Sequence, residues 1–285
     1  MFQTKETDYR EQILDSRPIG IIAGAGSLPA EVVESCIRQN KKVFVLRLEE
    51  ENKNDDILEK VPNQIVNIAS VGKSIKLLNQ HQVKEILFIG HISRPKWSAL
   101  RPDATGLKLL AKVVGAKTKG DDSLLTIVMK FFEEYDFKIL GIKDVAPNIL
   151  ASKGNLTTIL PDKDDFDDID IGVKALNVMG VLDIGQSIIV QNKVIIGIEA
   201  MEGTDNLIKR CKDLIHQDYK GILVKLKKTG QDNRIDLPTI GPITIENAYN
   251  SRLKGIVIQS ENTIIANKEL VIKKANEYKI FVIGI

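Results

Sequence analysis

The sequence is poor in histidine and cysteine, and this scarcity limits the metal chemistry open to it. It has 3 histidines and 2 cysteines in 285 residues, with no Cys-x-x-Cys pair and no Cys/His cluster. Cys36 and Cys211 both fall on the apolar side of predicted helices, which is typical of buried, reduced thiols. A zinc site is therefore not expected.

Long apolar runs and an excess of one charge are also missing. No apolar stretch approaches the roughly 18 residues that span a bilayer, and residues 1–17 lack the apolar core of a secretory signal. We therefore predict a cytoplasmic protein with a flexible extension at residues 1–17, whose membrane contact is at most peripheral. The net charge is only +2, so a nucleic-acid partner held by charge is not expected.

The first half of the chain opens with a pattern typical of nucleotide-binding folds. An apolar strand at residues 19–23 runs into Gly24-Ala25-Gly26-Ser27-Leu28, and a helix pattern follows. In a Rossmann-like unit, backbone N–H groups at such a helix start meet a phosphate. Glu49 follows the next strand, where the ribose-binding acid of a dinucleotide site would stand. Because the third glycine of that motif is missing, the pattern favours a nucleotide-facing loop over a complete dinucleotide site.

Two later loops of this half also carry candidate ligand-binding residues. Ser93 and Arg94 follow a predicted strand in a basic loop that suits a phosphate or pyrophosphate, unless it is simply solvated. Asp121 and Asp122 open a helix and either cap it or face sugar hydroxyls. The basic amphipathic helix predicted over residues 106–119 either packs on its own sheet or touches an anionic membrane surface.

Strand and helix signals alternate in both halves, which predicts an α/β protein with two α/β domains. The first is expected to be Rossmann-like, with a mainly parallel sheet, over residues 18–160. The second is expected to be a mixed α/β domain over residues 168–285, with a hairpin turn at Gln191-Asn192. The acidic run at residues 161–168 is interpreted as a solvated linker and helix start between the two domains.

Three carboxylates surround one predicted helix start in the second half. Glu199 ends an apolar strand, Gly203 turns the chain, and Thr204 is placed to cap the helix, with Glu202 and Asp205 on either side. Carboxylates can hold a hard divalent cation, and free N–H groups favour a phosphate, so this stretch suits phosphoryl chemistry. The alternative is that Asp205 only complements the helix dipole and Glu202 is a solvated turn residue.

Several blocks, taken together and in order, resemble one enzyme family. The sequence from residue 18 to residue 285 is similar to the UDP-2,3-diacylglucosamine pyrophosphatases of lipid A biosynthesis, of the LpxI type. The blocks are residues 20–29, 93–95, 106–108, 119–122, 182–186, 199–205 and 234–241. The chain departs from the family pattern in its N-terminal extension and in His91, which stands where a small or amide residue is expected.

The resemblance implies an activity and a set of site residues. Family members are two-domain homodimers of Gram-negative bacteria, with the first domain facing UDP and the second the acylated sugar. With Mg²⁺ they hydrolyse UDP-diacylglucosamine by water attack at the α-phosphorus, giving UMP and lipid X, and transient contact with the inner membrane surface is expected. Asp236 is the family position associated with metal and catalysis, and the block holding Glu202 and Asp205 is expected to add to that site. The implied catalytic residues are Asp236, Asp205 and Glu202, with Asp236 and Asp205 as metal ligands. The implied substrate-binding residues are Gly24, Gly26, Ser27, Leu28, Ser93, Arg94, Asp121, Asp122, Thr204, Arg234 and Thr239.

The chemistry explains these residue types. A phosphoanhydride carries negative charge that repels a nucleophile, and Mg²⁺ neutralises this charge and lowers the pKa of a bound water. The protein then has to supply carboxylate ligands and positive clamps, here Arg94 and Arg234. Two other readings stay open: an oxidoreductase resting on Gly24, Gly26 and Glu49 with no metal requirement, and a sensor that binds UDP without turnover. Asp236 itself could instead bond only to turn backbone.

Overall fold

A computed structural model describes residues 17–49, 56–92, 100–117, 124–182, 184–216, 220–228, 234 and 237–285. The chain forms two compact units, Met1–Ala146 and Pro147–Ile285. The division comes before the 160–168 segment that the sequence favoured. The reason is that residues 151–155 already belong to the second unit: Ala151 N donates to Thr263 O at 2.9 Å, and Gly154–Asn155 pairs with the last strand of the chain.

The first unit is built on a parallel sheet of five strands in the order β3-β2-β1-β4-β5. The strands are β1 Ile19–Ala23, β2 Val43–Leu48, β3 Asn63–Val66, β4 Glu85–Ile89 and β5 Lys138–Ile139. The three central strands are largely buried, as expected for parallel strands covered on both faces. This is the Rossmann-like arrangement that the alternating pattern predicts.

Helices connect these strands and bury their apolar stripes against the sheet. They are α1 Leu28–Arg38, α2 Asp56–Glu59, α3 Val71–Gln80, α4 Ala104–Lys117, α5 Leu124–Glu133 and α6 Ile142–Val145. In α1, Val32, Val33 and Cys36 are fully buried at helical spacing. Cys36 is a free thiol, and burial, partly offset by Lys41, raises its pKa to about 11. It is therefore the inert buried thiol that the sequence predicts.

The second unit has a mixed sheet of six strands in the order β6-β13-β11-β9-β7-β8. Its strands are β6 Gly154–Asn155, β7 Ser187–Gln191, β8 Val194–Ile198, β9 Gly221–Lys225, β11 Leu253–Ile258 and β13 Phe281–Gly284. Strands β9, β11 and β13 run parallel, whereas β6, β7 and β8 are each antiparallel to a neighbour. A separate pair, β10 Thr239–Ile240 and β12 Ile264–Ile265, is parallel.

Helices cover both faces of the second sheet and divide its core in two. They are α7 Lys163–Val181, α8 Thr204–Cys211, α9 Pro242–Asn250 and α10 Lys268–Glu277. One core collects side chains of α8, α9 and α10, and the other lies under α7. Because α8, α9 and α10 precede the parallel strands β9, β11 and β13, all three helices begin at the carboxyl edge of the sheet. Positive helix-dipole ends therefore face that edge.

The acidic run begins helix α7, and only part of it is solvated. Asp162 caps the helix by accepting from Asp164 N and Asp165 N at 3.0 and 3.1 Å. Asp165 is buried, accepts from Asp162 N at 2.9 Å, and pairs with the Lys254 ammonium of β11. The interpretation as a solvated linker is therefore wrong for Asp165, because a charged partner across the unit compensates its burial.

A second buried member of this run, Asp168, fixes the β7–β8 hairpin. Its two carboxylate oxygens accept from Asn192 N at 2.9 Å and from Lys193 N at 2.6 Å. Asn192 and Lys193 both have positive φ, of 48° and 65°, as a type I′ turn requires. The turn lies one residue later than the predicted Gln191-Asn192, because the Asp168 carboxylate binds the N–H groups of Asn192 and Lys193.

Candidate functional site

In the first unit, the loops after β1 and β4 meet where the strand order reverses. The chain moves from β1 to β2 and β3 on one side of the sheet and returns to β4 on the other. Open α/β sheets bind ligands at such a switch point, outside the carboxyl ends of the strands. Here the two loops are joined by a backbone bridge, in which Ala25 N donates to His91 O at 2.6 Å and His91 N donates to Ala25 O at 2.9 Å.

Glycines at this bridge allow the backbones to approach. A Cβ added to Gly24 would lie 2.4 Å from His91 O, and Gly90 has a φ of +94° and a similar close approach to Ala25 O. Gly26 has a φ of +95° with open space around its Cβ position, so its backbone is accessible. Ser27 precedes α1 and makes no side-chain capping bond; its hydroxyl donates to Glu31 Oε1 at 2.8 Å. Leu28, half-buried, begins the helix.

We expect Gly24→Ala to lower the free energy of unfolding by about 2 to 3 kcal/mol, because the new methyl group meets backbone that no rotamer change can move. Gly26→Ala is the matched control. It adds a methyl group in open space and keeps only the strain of its positive φ, at about 1 kcal/mol. Urea denaturation followed by circular dichroism measures both. Equal losses for the two variants would contradict the role assigned to the bridge.

In the second unit, the start of β7 and the ends of β8 and β9 lie side by side at the carboxyl edge of the sheet. Ser187 pairs with Lys225 across β7 and β9, Glu199 N donates to Ser187 O at 2.9 Å, and Leu226 N donates to Gln186 O at 2.9 Å. Lys225 and Glu199 are only 3% and 6% exposed. The edge therefore holds a buried ammonium and a buried carboxylate, and charged groups are buried at a cost unless they are bonded.

One hydroxyl connects these buried groups. Thr204 Oγ1 lies 3.1 Å from Glu199 Oε2 and 3.0 Å from Ser187 Oγ, and it also contacts Lys225 Nζ. An ammonium only donates and an ionised carboxylate only accepts. Thr204 therefore donates its single proton to Glu199 and accepts from Lys225 and Ser187. We call these four residues the Thr204 network.

The network changes the expected role of Thr204 at the helix. The residue before the helix is Gly203, with a φ of +80°, and Thr204 is the first helical residue, whose hydroxyl is bonded to groups of the sheet. Thr204 therefore ties the start of α8 to β7, β8 and β9 and does not cap the helix as predicted. Gly203 has open space around its Cβ position, which leaves the backbone at the helix start approachable.

Asp205 and Glu202 have different surroundings. Asp205 Oδ1 is buried and has no hydrogen-bond partner among the described residues. Glu202 Oε1 accepts from Arg210 Nε and Nη2 at 3.0 and 2.9 Å, and Oε2 accepts from Ala200 N at 3.0 Å. A hydrogen bond from its own backbone N–H, and then the Arg210 side chain, hold the pKa of Glu202 below its usual range. Both carboxylate oxygens of Glu202 thus already accept hydrogen bonds. By contrast, Oδ1 of Asp205 can still accept a hydrogen bond or bind a cation.

The other predicted site residues are less completely placed. Asp236, Ser93, Arg94, Asp121 and Asp122 lie outside the described residues. Arg234 and Thr239 lie on either side of Asp236 in the sequence. Arg234 is half-buried. Thr239 begins β10, and its hydroxyl donates to Leu237 O at 3.3 Å.

Over the part of the chain that the structure describes, no group of three His, Cys, Asp or Glu side chains is arranged to hold a metal ion. The unpartnered Asp205 oxygen is nevertheless the kind of donor that Mg²⁺ takes. One carboxylate and one further acid from outside the described residues, with waters, would suit Mg²⁺, which usually keeps several of its waters.

Sequence reasoning assigned no role to Lys225 or Ser187, although both belong to the Thr204 network. Lys225 is the one charged residue of the strand Gly221–Lys225, which is buried throughout. A lysine closing such a strand is a usable signal, since lysine is almost never fully buried unless paired. Ser187 gives no comparable signal, because its partner is 17 residues away in the sequence.

The arrangement defines a class of protein: two α/β units, one with a Rossmann-like glycine loop at its switch point, the other with a charged, hydrogen-bonded carboxyl edge. Comparison with known proteins agrees with this. The model of the LpxI N-terminal domain matches residues 18–149, and the model of the LpxI C-terminal domain matches residues 152–283. The chain is also 36% identical, over 94% of its length and 98% of the relative's, to "UDP-2,3-diacylglucosamine pyrophosphatase LpxI" of Caulobacter vibrioides. The chain belongs to the LpxI family.

Proposed function

We propose that the protein is a UDP-2,3-diacylglucosamine diphosphatase of lipid A biosynthesis. It hydrolyses the pyrophosphate bond with Mg²⁺, water attacks the α-phosphorus, and the products are UMP and 2,3-diacylglucosamine 1-phosphate (lipid X). The observation that carries the proposal is the carboxyl edge of the second unit, where the unpartnered Asp205 oxygen adjoins the Thr204 network and the start of α8. The name of the Caulobacter vibrioides relative supports the same substrate.

In this proposal the first unit holds the UDP end of the substrate. The N–H groups of Gly24 and Ala25 already donate to Ile89 O and His91 O, so those of residues 26–28, at the start of α1, are proposed to meet the phosphate. Ser93, Arg94, Asp121 and Asp122, which lie outside the described residues, are proposed to complete this binding. The second unit holds the acylated sugar end and supplies the acids.

Asp205 and Asp236 are the proposed metal ligands. Bound Mg²⁺ would neutralise phosphoryl charge and acidify a coordinated water. The chain's own contribution is positional: the Thr204 network fixes the first turn of α8 and therefore the direction of the Asp205 carboxylate. Arg234 is proposed as a clamp on the phosphoryl oxygens. Glu202, already bonded to Arg210, supports the turn before α8.

Two alternatives remain testable. An oxidoreductase would need Glu49 to face a ribose; Glu49 follows β2, is exposed, and donates its backbone N–H to Val66 O at 2.9 Å. A non-catalytic sensor would bind UDP without turnover and would survive loss of Asp236. A buried carboxylate oxygen that accepts no hydrogen bond among the described residues favours catalysis over both, because perturbed acids concentrate at functional sites.

The homodimer and the location are also proposals. In the described sheet β8 is an edge strand, and it carries Val194, Ile195 and Ile198 with exposed side chains; an apolar edge strand can pair with a second copy of the chain. Among the described residues, no helix has both the length and the apolarity to cross a bilayer. We propose a cytoplasmic enzyme that works at the cytoplasmic face of the inner membrane.

The experiment is turnover of UDP-2,3-diacylglucosamine by purified protein in H₂¹⁸O, with Mg²⁺ or with EDTA. We expect UMP release that requires the metal, with one ¹⁸O in UMP and none in lipid X, because the attacked phosphorus keeps the water oxygen. If the ¹⁸O is found in lipid X, water attacks the β-phosphorus and not the α-phosphorus. If folded protein with Mg²⁺ releases no UMP, the proposed activity is wrong, and NAD(P) and UDP binding then separate the two alternatives.

A further inference from the structure

Two glutamines stand at the two ends of strand β7, and their side-chain amides have different surroundings. Gln191, which ends the strand, is buried; its Oε1 accepts from His216 N at 3.0 Å and its Nε2 donates to His216 O at 3.3 Å. Gln186 directly precedes the strand, and its Oε1 is buried without a hydrogen-bond partner among the described residues. Most buried polar atoms are hydrogen-bonded, so this acceptor requires an explanation.

The side chain of Gln186 lies on the α7 face of the second sheet. Ser187 pairs with Lys225 across β7 and β9. Leu226 N donates to Gln186 O at 2.9 Å, so the pairing continues and these two residues stand opposite each other. Ser187 bonds to Thr204 of α8, and side chains alternate between the two faces along a strand. Gln186 is therefore directed to the other face, where Leu226 belongs to the core under α7.

A cavity of about 420 Å³ lies on this face, at the carboxyl edge of the parallel strands. Its lining includes Val173 and Asn177 of α7, Leu226 after β9, Gln259 after β11 and Ile285 after β13. Asn177 and Ile285 are exposed, so solvent reaches the cavity. Both its size and its place at the ends of parallel strands are typical of small-molecule sites. Apolar walls with side-chain amides, which donate and accept, suit a sugar ring with its hydroxyl and acylamino groups.

We propose that Gln186 is a specificity-determining residue, whose amide oxygen accepts a hydrogen bond from the sugar of the substrate bound in this cavity. This inference rests on the proposed function. A 2,3-diacylglucosamine offers donors in the hydroxyls at C4 and C6 and in the N–H of the 2-acylamino group. Ser187, a member of the Thr204 network, directly follows Gln186 in the chain and faces α8. A substrate lying across the edge therefore has its phosphate near that network and its sugar on the α7 face.

The amide of Gln186 can turn to a ligand at little cost. Its Oε1 accepts no hydrogen bond from the described residues, so a rotation about the side-chain torsions breaks no bond at that atom. Gln259 is different, because its Oε1 already accepts from Lys227 N at 3.0 Å. Gln259 thus helps to shape the wall, whereas Gln186 has an acceptor to offer. A buried acceptor that gains a donor only when substrate binds discriminates against analogues that lack the donor.

The first test compares Gln186→Met with the wild type. Methionine keeps the length of the side chain but removes the acceptor. We expect kcat/KM for UDP-2,3-diacylglucosamine to fall about tenfold, because one hydrogen bond to the bound sugar is lost. The affinity for UDP, which has no sugar beyond the pyrophosphate, should be unchanged by calorimetry. Unchanged kcat/KM in Gln186→Met would overturn the proposal.

Substrate analogues identify the donor. Three are needed: the 4-deoxy sugar, the 6-deoxy sugar, and the sugar with a 2-acyloxy group in place of the acylamino group. One analogue should lower the wild-type kcat/KM about tenfold. Gln186→Met should cleave that analogue as fast as it cleaves the full substrate, because the missing donor no longer has an acceptor. If every analogue has the same effect on wild type and variant, the partner of Gln186 is a buried water and the proposal is wrong.

Gln191→Met is the matched control for stability. It removes an amide whose two polar atoms are bonded, and it should lower the midpoint of urea unfolding by about 0.5 to 1 M. Gln186→Met should leave the midpoint unchanged. An equal fall in both variants would make the Gln186 amide structural and overturn its role in specificity.

Binding separates this inference from the proposed function. If the wild type does not cleave UDP-2,3-diacylglucosamine, the proposed activity is wrong. Calorimetry with UDP-N-acetylglucosamine, a soluble sugar nucleotide with an acylamino group, then decides the role of Gln186. We expect Gln186→Met to weaken this ligand about tenfold and to leave UDP unaffected. Equal affinity of wild type and variant for UDP-N-acetylglucosamine would overturn the inference.

Discussion

Asp205→Asn is expected to remove most of the turnover while leaving the protein at least as stable as before. Loss of one charged donor at a phosphoryl site lowers turnover by at least about 100-fold. The carboxylate oxygen Oδ1 is buried without a hydrogen-bond partner among the described residues, so relief of its buried charge should offset the helix-dipole interaction that an acid in the first turn of α8 makes. The free energy of unfolding should stay unchanged or rise by up to about 1 kcal/mol. This opposite response of activity and stability distinguishes a functional carboxylate from a structural one.

The measurement combines steady-state turnover, the Mg²⁺ concentration that gives half-maximal rate, and urea denaturation. Asp213→Asn is the matched control, because Asp213 is an exposed acid just after α8, and it should behave as wild type. Asp236→Ala should lose a similar amount, and the double variant should lose little more than either single one if the two acids hold one metal. Full activity in Asp205→Asn would remove Asp205 from the site.

Lys225→Met is expected to have the largest effect on stability among single changes at this edge. The ammonium is 3% exposed and bonds to the Thr204 hydroxyl, which in turn donates to the buried Glu199 carboxylate. Methionine fills similar space but leaves that carboxylate without the nearby positive charge. We expect a loss of about 2 to 4 kcal/mol in the free energy of unfolding, with a lower turnover as the start of α8 shifts.

Lys220→Met is the control for Lys225→Met: it removes an exposed lysine one residue before β9 and should cost less than about 0.5 kcal/mol. Thr204 supplies a separate check of the network. Thr204→Ser keeps the hydroxyl and should retain turnover, whereas Thr204→Val should reproduce part of the Lys225→Met loss. If valine and serine behave alike at residue 204, the hydroxyl does not connect the buried groups.

The arrangement of the fold could be predicted because its signals are local. The apolar strand before Gly24 and Gly26, and the helix stripe after them, are visible within twenty residues, and they form β1, the loop and α1. The carboxylates around Gly203 could likewise be found from a strand end and a helix start.

The use of each acid could not be predicted, because it depends on partners far away in the sequence. Asp165 and Asp168 belong to a run that reads as solvated, yet a lysine of β11 and the turn of a hairpin bury them. Glu202 and Asp205 look equivalent in the sequence, but Arg210 engages only the first. Lys225 gains its role from Thr204, 21 residues earlier in the chain. Which charges are compensated is thus a property of the packed unit and not of the local pattern.

The bridge between Ala25 and His91 also bears on which positions of these two loops can be substituted. Both hydrogen bonds of the bridge use main-chain atoms, so residue 91 contributes a peptide group that every non-proline amino acid provides. A change of side chain at residue 91 should therefore leave the bridge intact, whereas the glycines at 24 and 90 are fixed by the space between two backbones. Residue 91 is thus a position where contacts with a nucleotide can be altered without disturbing the backbone that shapes the loop.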